Sequence, residues 1–272
     1  MSNRVAVILP SRGQIYSQTI DEVLQNVQSV NHQIYWSHAN PLPLCFNLPI
    51  EEALADPENT HFWIVEEDMQ IPPGTLQELL DADVPAIAND YPLRGDNTNC
   101  VLYDPDGNAY FTGTGSILIK REVLERMPKP IFYANKQWTF QIQSDHIVFT
   151  LESGQDPDKV YGQHDLNFGL DLYRMGLPIR VAEHTVGHRR IVKKGDNGTN
   201  QGQHEIVTYT KTSLGNKAYH RFNNLPGMRE VILDGKIVFM PETRAQEMIK
   251  AGLAKDRRIG HAVFNDSNQE GS

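Results

Sequence analysis

Between residues 5 and 88 short apolar runs alternate with segments of helical periodicity, and this alternation constrains the fold more than any other feature. Val5 to Leu9 is apolar throughout and stops at Pro10-Ser11-Arg12-Gly13. That is the pattern of a strand buried on both faces that ends in a loop. Ile20, Val23, Leu24, Val27 and Val30 follow at helical spacing, and Thr19 with Glu22 forms a capping-box pair at their start. Gln33 to His38 reads as a second strand, Pro49 to Ala55 as a short helix and His61 to Val65 as a third strand. Pro72-Pro73-Gly74 punctuates the chain before a helix over Thr75 to Ala82, again with a capping-box pair, Thr75 and Glu78. Val84 to Ala88 is the fourth strand. Strands and helices in this order predict an α/β fold, an open Rossmann-like mixed sheet, mostly parallel, with helices on both faces.

The middle of the chain changes character. Cys100 to Tyr103 and Asn108 to Thr112 flank Asp104-Pro105-Asp106-Gly107, which carries strong hairpin-turn chemistry. Gly113-Thr114-Gly115 leads into a strand over Ser116 to Ile119, then a helix over Arg121 to Met127 that Pro128 stops. A strand-rich stretch runs to Phe149. A helix over His164 to Met175 ends at Gly176, and Pro178 to Ala182 is the last strand of the main sheet. Residues 193–204 are rich in Gly, Asn and Gln and predict a loop. Beyond it, Asp234-Gly235 between alternating apolar residues marks a hairpin, and Pro241 to Ala251 a short helix ending at Gly252. These features divide the chain into a main domain, 1–204, and a small α+β appendage, 205–272, with a frayed tail.

Net charge narrows the partners. The formal charge is -9, whereas non-specific duplex binding depends on Lys and Arg neutralising phosphates. A general nucleic-acid coat is therefore disfavoured, although a local basic patch remains open. Cys45 and Cys100 fit no metal spacing and read as reduced, partly buried thiols. The opening apolar run is too short for a signal-peptide core or a membrane span, so the expected location is the cytoplasm. The Asn197-Gly198-Thr199 sequon then carries no glycan.

In an open α/β sheet ligands bind outside the carboxyl ends of the strands. The run Phe62-Trp63-Ile64-Val65 delivers Glu66, Glu67 and Asp68 to that edge. Carboxylates at i and i+2 can face one hard divalent cation, which takes oxygen ligands and bridges substrate phosphates. Taken alone, the triplet reads equally as a cation site or as an acidic surface turn.

Residues 64–80, IVEEDMQIPPGTLQELL, resemble the acid-x-acid (DxD) segment of GT-A glycosyltransferases, in particular the family-two group and its phage and bacterial relatives. Further segments resemble the same family in the same order: Pro10-Ser11-Arg12, Ala88 to Arg94, Gly113-Thr114-Gly115-Ser116, Tyr161 to Leu166, and Val186-Gly187-His188. The resemblance covers residues 4–192. It implies that Glu66, Asp68 and His188 hold a divalent metal, Mn²⁺ or Mg²⁺, with Glu66 standing where Asp is usual. It implies donor contacts from Pro10, Ser11, Arg12, Glu67, Tyr91 and Arg94. Gly113, Thr114, Gly115 and His164 fall on the acceptor side, His164 replacing the family's glutamate. Asp165, near a helix N-terminus whose dipole favours the ionised form, is the implied general base. Each segment also has a plain reading: a tight turn for the glycines, a helix-start acid for Asp165, an ordinary core or surface histidine for His188.

The implied substrate is a nucleotide-diphosphate sugar, and Arg94, Arg189, Arg190, Lys193 and Lys194 are candidates to meet its phosphates. Two acceptor classes follow. Residues 235–255, GKIVFMPETRAQEMIKAGLAK, have the character of small phage modules, which points to a hydroxymethylated pyrimidine in DNA. The other class is a polysaccharide, lipid-linked sugar or protein. A sugar nucleotidyltransferase would place paired acids similarly but carries a Gly-rich phosphate loop after the first strand, where only Gly13 occurs here. A degenerate, non-catalytic sugar-nucleotide-binding or structural phage protein is the non-enzyme alternative.

Overall fold

The protein is described by a computed structural model covering residues 3–37, 40–92, 100–104, 106–134, 137–142, 147–152, 163–193, 204–209, 228–233, 236–253, 255–256 and 262–265. In chain order the first half contains β1 (Arg4–Leu9), α1 (Ser17–Val27), β2 (Asn31–Trp36), α2 (Leu44–Ala55), β3 (His61–Val65), β4 (Met69–Gln70), α3 (Thr75–Asp81) and β5 (Ala86–Ala88). Next come β6 (Leu102–Tyr103), β7 (Ala109–Phe111), β8 (Ser116–Lys120), α4 (Arg121–Arg126), β9 (Gln137–Ile142), β10 (Ile147–Glu152), α5 (His164–Arg174), β11 (Arg180–Val181), β12 (Gly187–Lys193) and β13 (His204–Tyr209). The C-terminal part holds β14 (Met228–Leu233), β15 (Lys236–Pro241), α6 (Glu242–Lys250), β16 (Lys255–Asp256) and β17 (Ala262–Asn265).

The fold is mixed α/β. A six-stranded sheet in the order β11-β5-β8-β3-β1-β2 forms its centre, flanked by helices. β1 runs parallel to β2 and β3, and β11 parallel to β5, while β8 lies antiparallel between β3 and β5. The apolar run of β1 is fully enclosed, with Val5 to Ile8 at 0% exposure, as a strand covered on both faces requires. Phe62, Trp63 and Ile64 of β3 are equally buried. These side chains are the centre of the core, and β3 carries the acidic triplet out of it.

Local details depart from the sequence expectations for identifiable reasons. α1 begins at Ser17 after Tyr16, not at a Thr19/Glu22 capping box. Thr19 instead donates through Oγ1 to the Met69 carbonyl at 2.7 Å, and Glu22 Oε2 accepts the Ile71 N–H at 2.8 Å. Both side chains join α1 to β4, a tertiary demand that outweighs capping. Likewise α3 starts after Gly74, which has φ +85°, and Glu78 accepts from the backbone of Glu183 and His184. Only glycine adopts that φ without strain. α2 begins at Leu44 and carries Pro49 inside it, and β2 stops at Trp36. Both cysteines are free and almost fully buried.

A second, smaller core of Tyr110, Trp138, Phe149, Leu166 and Leu170 packs where α5 meets the hairpins β6–β7 and β9–β10. β14, β15 and β16 form a separate three-stranded sheet around the expected hairpin. β13 pairs with β12, and β17 runs parallel to β10, so strands from the last seventy residues lie against strands of the main segment. Arg94, Tyr161, Gly162, Lys194, residues 195–203 with the sequon, Asp234-Gly235 and the tail beyond Asn265 lie outside the described residues, while Lys193 and His204 at the ends of the expected loop belong to β12 and β13.

Candidate active site

Three parallel strands end at one edge of the sheet. β1 delivers Pro10 to Arg12, β3 delivers Glu66 to Asp68 and β5 delivers Asn89 to Tyr91. The antiparallel β8 starts at the same edge, preceded by Gly113-Thr114-Gly115. The pairing therefore gathers segments that are far apart in sequence.

The acidic triplet splits three ways. Glu66 donates its N–H to the Gly115 carbonyl at 3.1 Å, and its Oε1 accepts the Thr114 hydroxyl at 2.5 Å. Glu67 turns to the first loop. Its carboxylate accepts the Arg12 N–H at 3.0 Å, Nε at 3.0 Å and Nη2 at 2.6 Å, while its carbonyl accepts the Tyr16 N–H at 3.1 Å. Glu67 thus fastens the β1 loop through Arg12. Ser11 shapes that loop, bonding the Gln14 carbonyl at 3.1 Å and the Gly13 N–H at 3.0 Å, beside a buried Pro10. Asp68 turns to β12, where its Oδ2 meets His188 Nε2 at 3.0 Å and its carbonyl accepts the Arg189 N–H at 2.7 Å. Antiparallel pairing of β4 with Gly187 and His188 creates this contact.

Burial governs the electrostatics. The Glu66 carboxyl is pushed up to about 7, first by desolvation and next by Asp68, against the lowering hydrogen bond from Thr114. Asp165 is near enough to raise Glu66 further. Asp165 sits in the first turn of α5, where Oδ1 accepts the Leu166 N–H at 2.7 Å. Its carboxyl is nevertheless raised to about 6, because desolvation outweighs the backbone donors. The expected net pull of the helix terminus toward the ionised form is overturned, although the group still ionises below neutrality.

Tyr91 explains the glycines. Its ring is 5% exposed and meets the His188 ring edge-on at 5.7 Å. Its hydroxyl accepts the Gly115 N–H at 3.3 Å. A Cβ at position 113 would lie 2.1 Å from the Tyr91 hydroxyl, and one at 115 would lie 2.6 Å from the ring and 2.7 Å from the Met69 sulfur. Both glycines are there to seat this ring. Gly113→Ala is expected to destabilise the fold by about 1–3 kcal/mol, the usual cost of overpacking. The loss should shrink in a Tyr91→Ala background, as a double-mutant cycle by urea unfolding would read. Equal losses in both backgrounds would refute the packing account.

The His164 ring and the Arg189 guanidinium make their contacts with groups other than the acidic pair. The His164 imidazole packs 4.9 Å from Phe46 and 6.3 Å from Phe132. Desolvation, helped by Arg12, lowers its pKa to about 4, so it is neutral. Arg189, expected among the phosphate-facing cations, is 5% exposed and bonds Thr19, Glu22 and the Met69 carbonyl. It clamps β12 to α1 and β4 and is not turned to a ligand. Gln163 escaped sequence reasoning. Its Oε1, two residues before Asp165 in sequence, is buried without a hydrogen-bond partner among the described residues, and the only signal was a polar residue before the helix.

The donor chemistry suits a divalent cation. Asp68 Oδ1 is buried with no hydrogen-bond partner among the described residues, and Glu66 is desolvated beside it, so a cation would relieve both costs. Two carboxylates are the donor type that suits Mn²⁺ or Mg²⁺, and His188 brings an imidazole beside them. Among the described residues, however, no three His, Cys, Asp or Glu side chains are already arranged as a metal cage.

No protein-family profile and no curated protein matches the sequence. Solved structures do. A197 from STIV is 16% identical over 70% of this chain and 86% of its own, with a TM-score of 0.44. A CMP:2-keto-3-deoxy-manno-octonic acid synthetase complexed with CTP is 11% identical over 66% and 88%, with a TM-score of 0.38. A 4-diphosphocytidyl-2C-methyl-D-erythritol synthase from Anaerococcus prevotii is 9% identical over 66% and 88%, with a TM-score of 0.34. No described helix is long and apolar enough to cross a membrane.

Proposed function

We propose that this chain is a nucleotide-using transferase of the GT-A type, a glycosyltransferase that moves a sugar from a nucleotide diphosphate to an acceptor hydroxyl. The observation that carries the reading is the approach of a half-buried acidic pair, Glu66 and Asp68, to a further half-buried carboxylate, Asp165, at the carboxyl edge of a mostly parallel sheet. Glu66 and Asp68 would hold a Mn²⁺ or Mg²⁺ ion with His188 alongside; bound there, it supplies Lewis-acid stabilisation of a diphosphate leaving group. Arg12 and Glu67, with Pro10 and Ser11, fix the loop beside the donor. Thr114 orients Glu66, and His188 orients Asp68. Asp165 accepts the acceptor hydroxyl's proton as that oxygen bonds to the anomeric carbon. The anomeric bond to the diphosphate breaks, and its electron pair leaves with the diphosphate. The segment 205–272 is the proposed appendage.

A thermal-shift screen of nucleoside diphosphates with and without Mn²⁺ tests the donor site. A ligand at a hundredfold excess over its Kd stabilises the folded state by about 2.7 kcal/mol. Asp68→Ala should abolish the Mn²⁺-dependent shift while the protein stays folded. If the variant binds metal and nucleotide like wild type, the triplet is a surface turn.

For the acceptor we propose a hydroxymethylated pyrimidine in DNA, ahead of a carbohydrate or protein. The phage-like character of residues 235–255 supports this. A base in a duplex would have to be extruded at a cost of a few kcal/mol. Incubation with donor sugars and hydroxymethylated DNA, then mass spectrometry of the nucleosides, should show an added hexose or pentose. No added mass, together with no DNA binding at low salt, removes this acceptor.

A further inference from the structure

His188 comes to Asp68 on a strand with a short hold on its neighbour. β12 pairs with β4 through two residue pairs, Gly187 with Gln70 and His188 with Met69. Nε2 of the ring meets Asp68 Oδ2 at 3.0 Å, while Nδ1 is buried without a hydrogen-bond partner among the described residues. A histidine that serves a metal usually gives its second nitrogen to a carboxylate or a carbonyl, which sets the ring. Here the main chain that delivers His188 has to set it. A slip of one residue in the pairing would turn the imidazole to the other face.

That main chain is the stretch 182–186, which crosses from β11 at the edge of the central sheet to β12. Its inner side is tied to β5 and the residues after it. The Ala182 N–H donates to the Ala88 carbonyl at 2.9 Å, and the Val186 N–H donates to the Asp90 carbonyl at 3.0 Å. Between them the Asn89 side-chain amide donates to the His184 carbonyl at 3.0 Å. The outer side is exposed at Glu183 and His184. There Glu78 of α3 holds it. Its Oε1 accepts the Glu183 N–H at 3.0 Å and the His184 N–H at 3.2 Å, and its Oε2 meets His184 Nδ1 at 2.8 Å. Two consecutive N–H groups on one oxygen fix the direction of the chain as well as its position. α3 follows the acidic triplet, so the segment that supplies the acids also holds the chain that brings the histidine to them.

We propose that Glu78 is a positioning residue for the metal site. By clasping the backbone at Glu183 and His184 it sets the register in which β12 presents His188 to Asp68 and the cation. This inference rests on the metal-binding reading given above.

Mn²⁺ alone, titrated by calorimetry into the full chain, provides the test. Glu78→Ala should bind Mn²⁺ about 10-fold more weakly, the low end of what the outer partners of metal ligands contribute. Glu78→Gln keeps an oxygen for both N–H groups and should recover most of that loss. In a His188→Ala background, which retains both carboxylates, Glu78→Ala should cost little further affinity, because the residue it positions is gone. Glu78→Asp keeps the charge but withdraws the oxygens by one methylene. It should follow Glu78→Ala, and it replaces that variant if alanine does not fold. Equal losses with and without His188 would show Glu78 supporting the fold at large and overturn the proposal. Unchanged Mn²⁺ affinity in Glu78→Ala would also overturn it, while leaving the acidic pair as the metal site. Failure of the wild type to bind Mn²⁺ would overturn both.

Discussion

Asp165→Asn is expected to lower sugar transfer by about 10²–10⁴-fold, the usual contribution of a positioned general base. Donor affinity should be nearly unchanged, since the residue acts on the acceptor hydroxyl and not on the nucleotide. Wild-type transfer should fall on the acid side of about pH 6, where the buried carboxyl takes up its proton. The same pKa sets a stability signature. The folded value lies above the ordinary 3.8, so the protonated form is the one folding favours. That contribution is complete below about pH 4 and is lost as pH rises through about 6. Asparagine, neutral at every pH, should therefore leave stability at pH 7 no lower than wild type. A mere helix-start acid predicts the reverse: normal transfer and a weaker fold. Near-normal transfer by the variant would make a retaining mechanism the better account.

The sheet was legible because parallel strands must be apolar on both faces, and such runs show plainly in β1 and β3. The edge they share was legible for the same reason, since a run such as Phe62 to Val65 that breaks into three acids marks its own carboxyl end. The directions of individual acids were not. Adjacent residues at a strand end point to different neighbours, and those neighbours, Arg12, Thr114 and His188, are fixed by long-range pairing. Glu67 illustrates this: its sequence position suggests a ligand contact, and its partners show a clamp on the β1 loop.

Local patterns misled where tertiary contacts compete with them. Thr19 and Glu22 have capping-box spacing, yet both face β4. The glycines at 113 and 115 read as an acceptor-side segment or a tight turn, and sequence alone does not reveal that they make room for a side chain more than twenty residues away. For Asp165 position gave the helix-terminus effect, whereas burial, which sets the sign of the shift, exists only once the chain is folded.

Arg189→Met is expected to destabilise the protein by about 3–5 kcal/mol, the cost of removing one partner of a buried ion pair. The partial exposure of Glu22, 22% against 5% for Arg189, puts the value toward the lower end. Arg189 Nη2 lies 2.5 Å from Glu22 Oε1, and Nη1 bonds Thr19 Oγ1 at 3.1 Å and the Met69 carbonyl. Glu22 in turn holds the Ile71 N–H at 2.8 Å. The guanidinium therefore joins α1, β4 and β12, and β12 is the strand that presents His188 to Asp68. Arg189→Lys should recover little, since an ammonium cannot span three partners as a planar fork does. Arg189→Met combined with Glu22→Gln should recover part of the loss, because no carboxylate is then left without its cation. Urea unfolding measures all three variants. If Arg189→Met instead unfolds like wild type while nucleotide diphosphates bind it weakly, the guanidinium faces the ligand, and the clamp described for β12 is wrong.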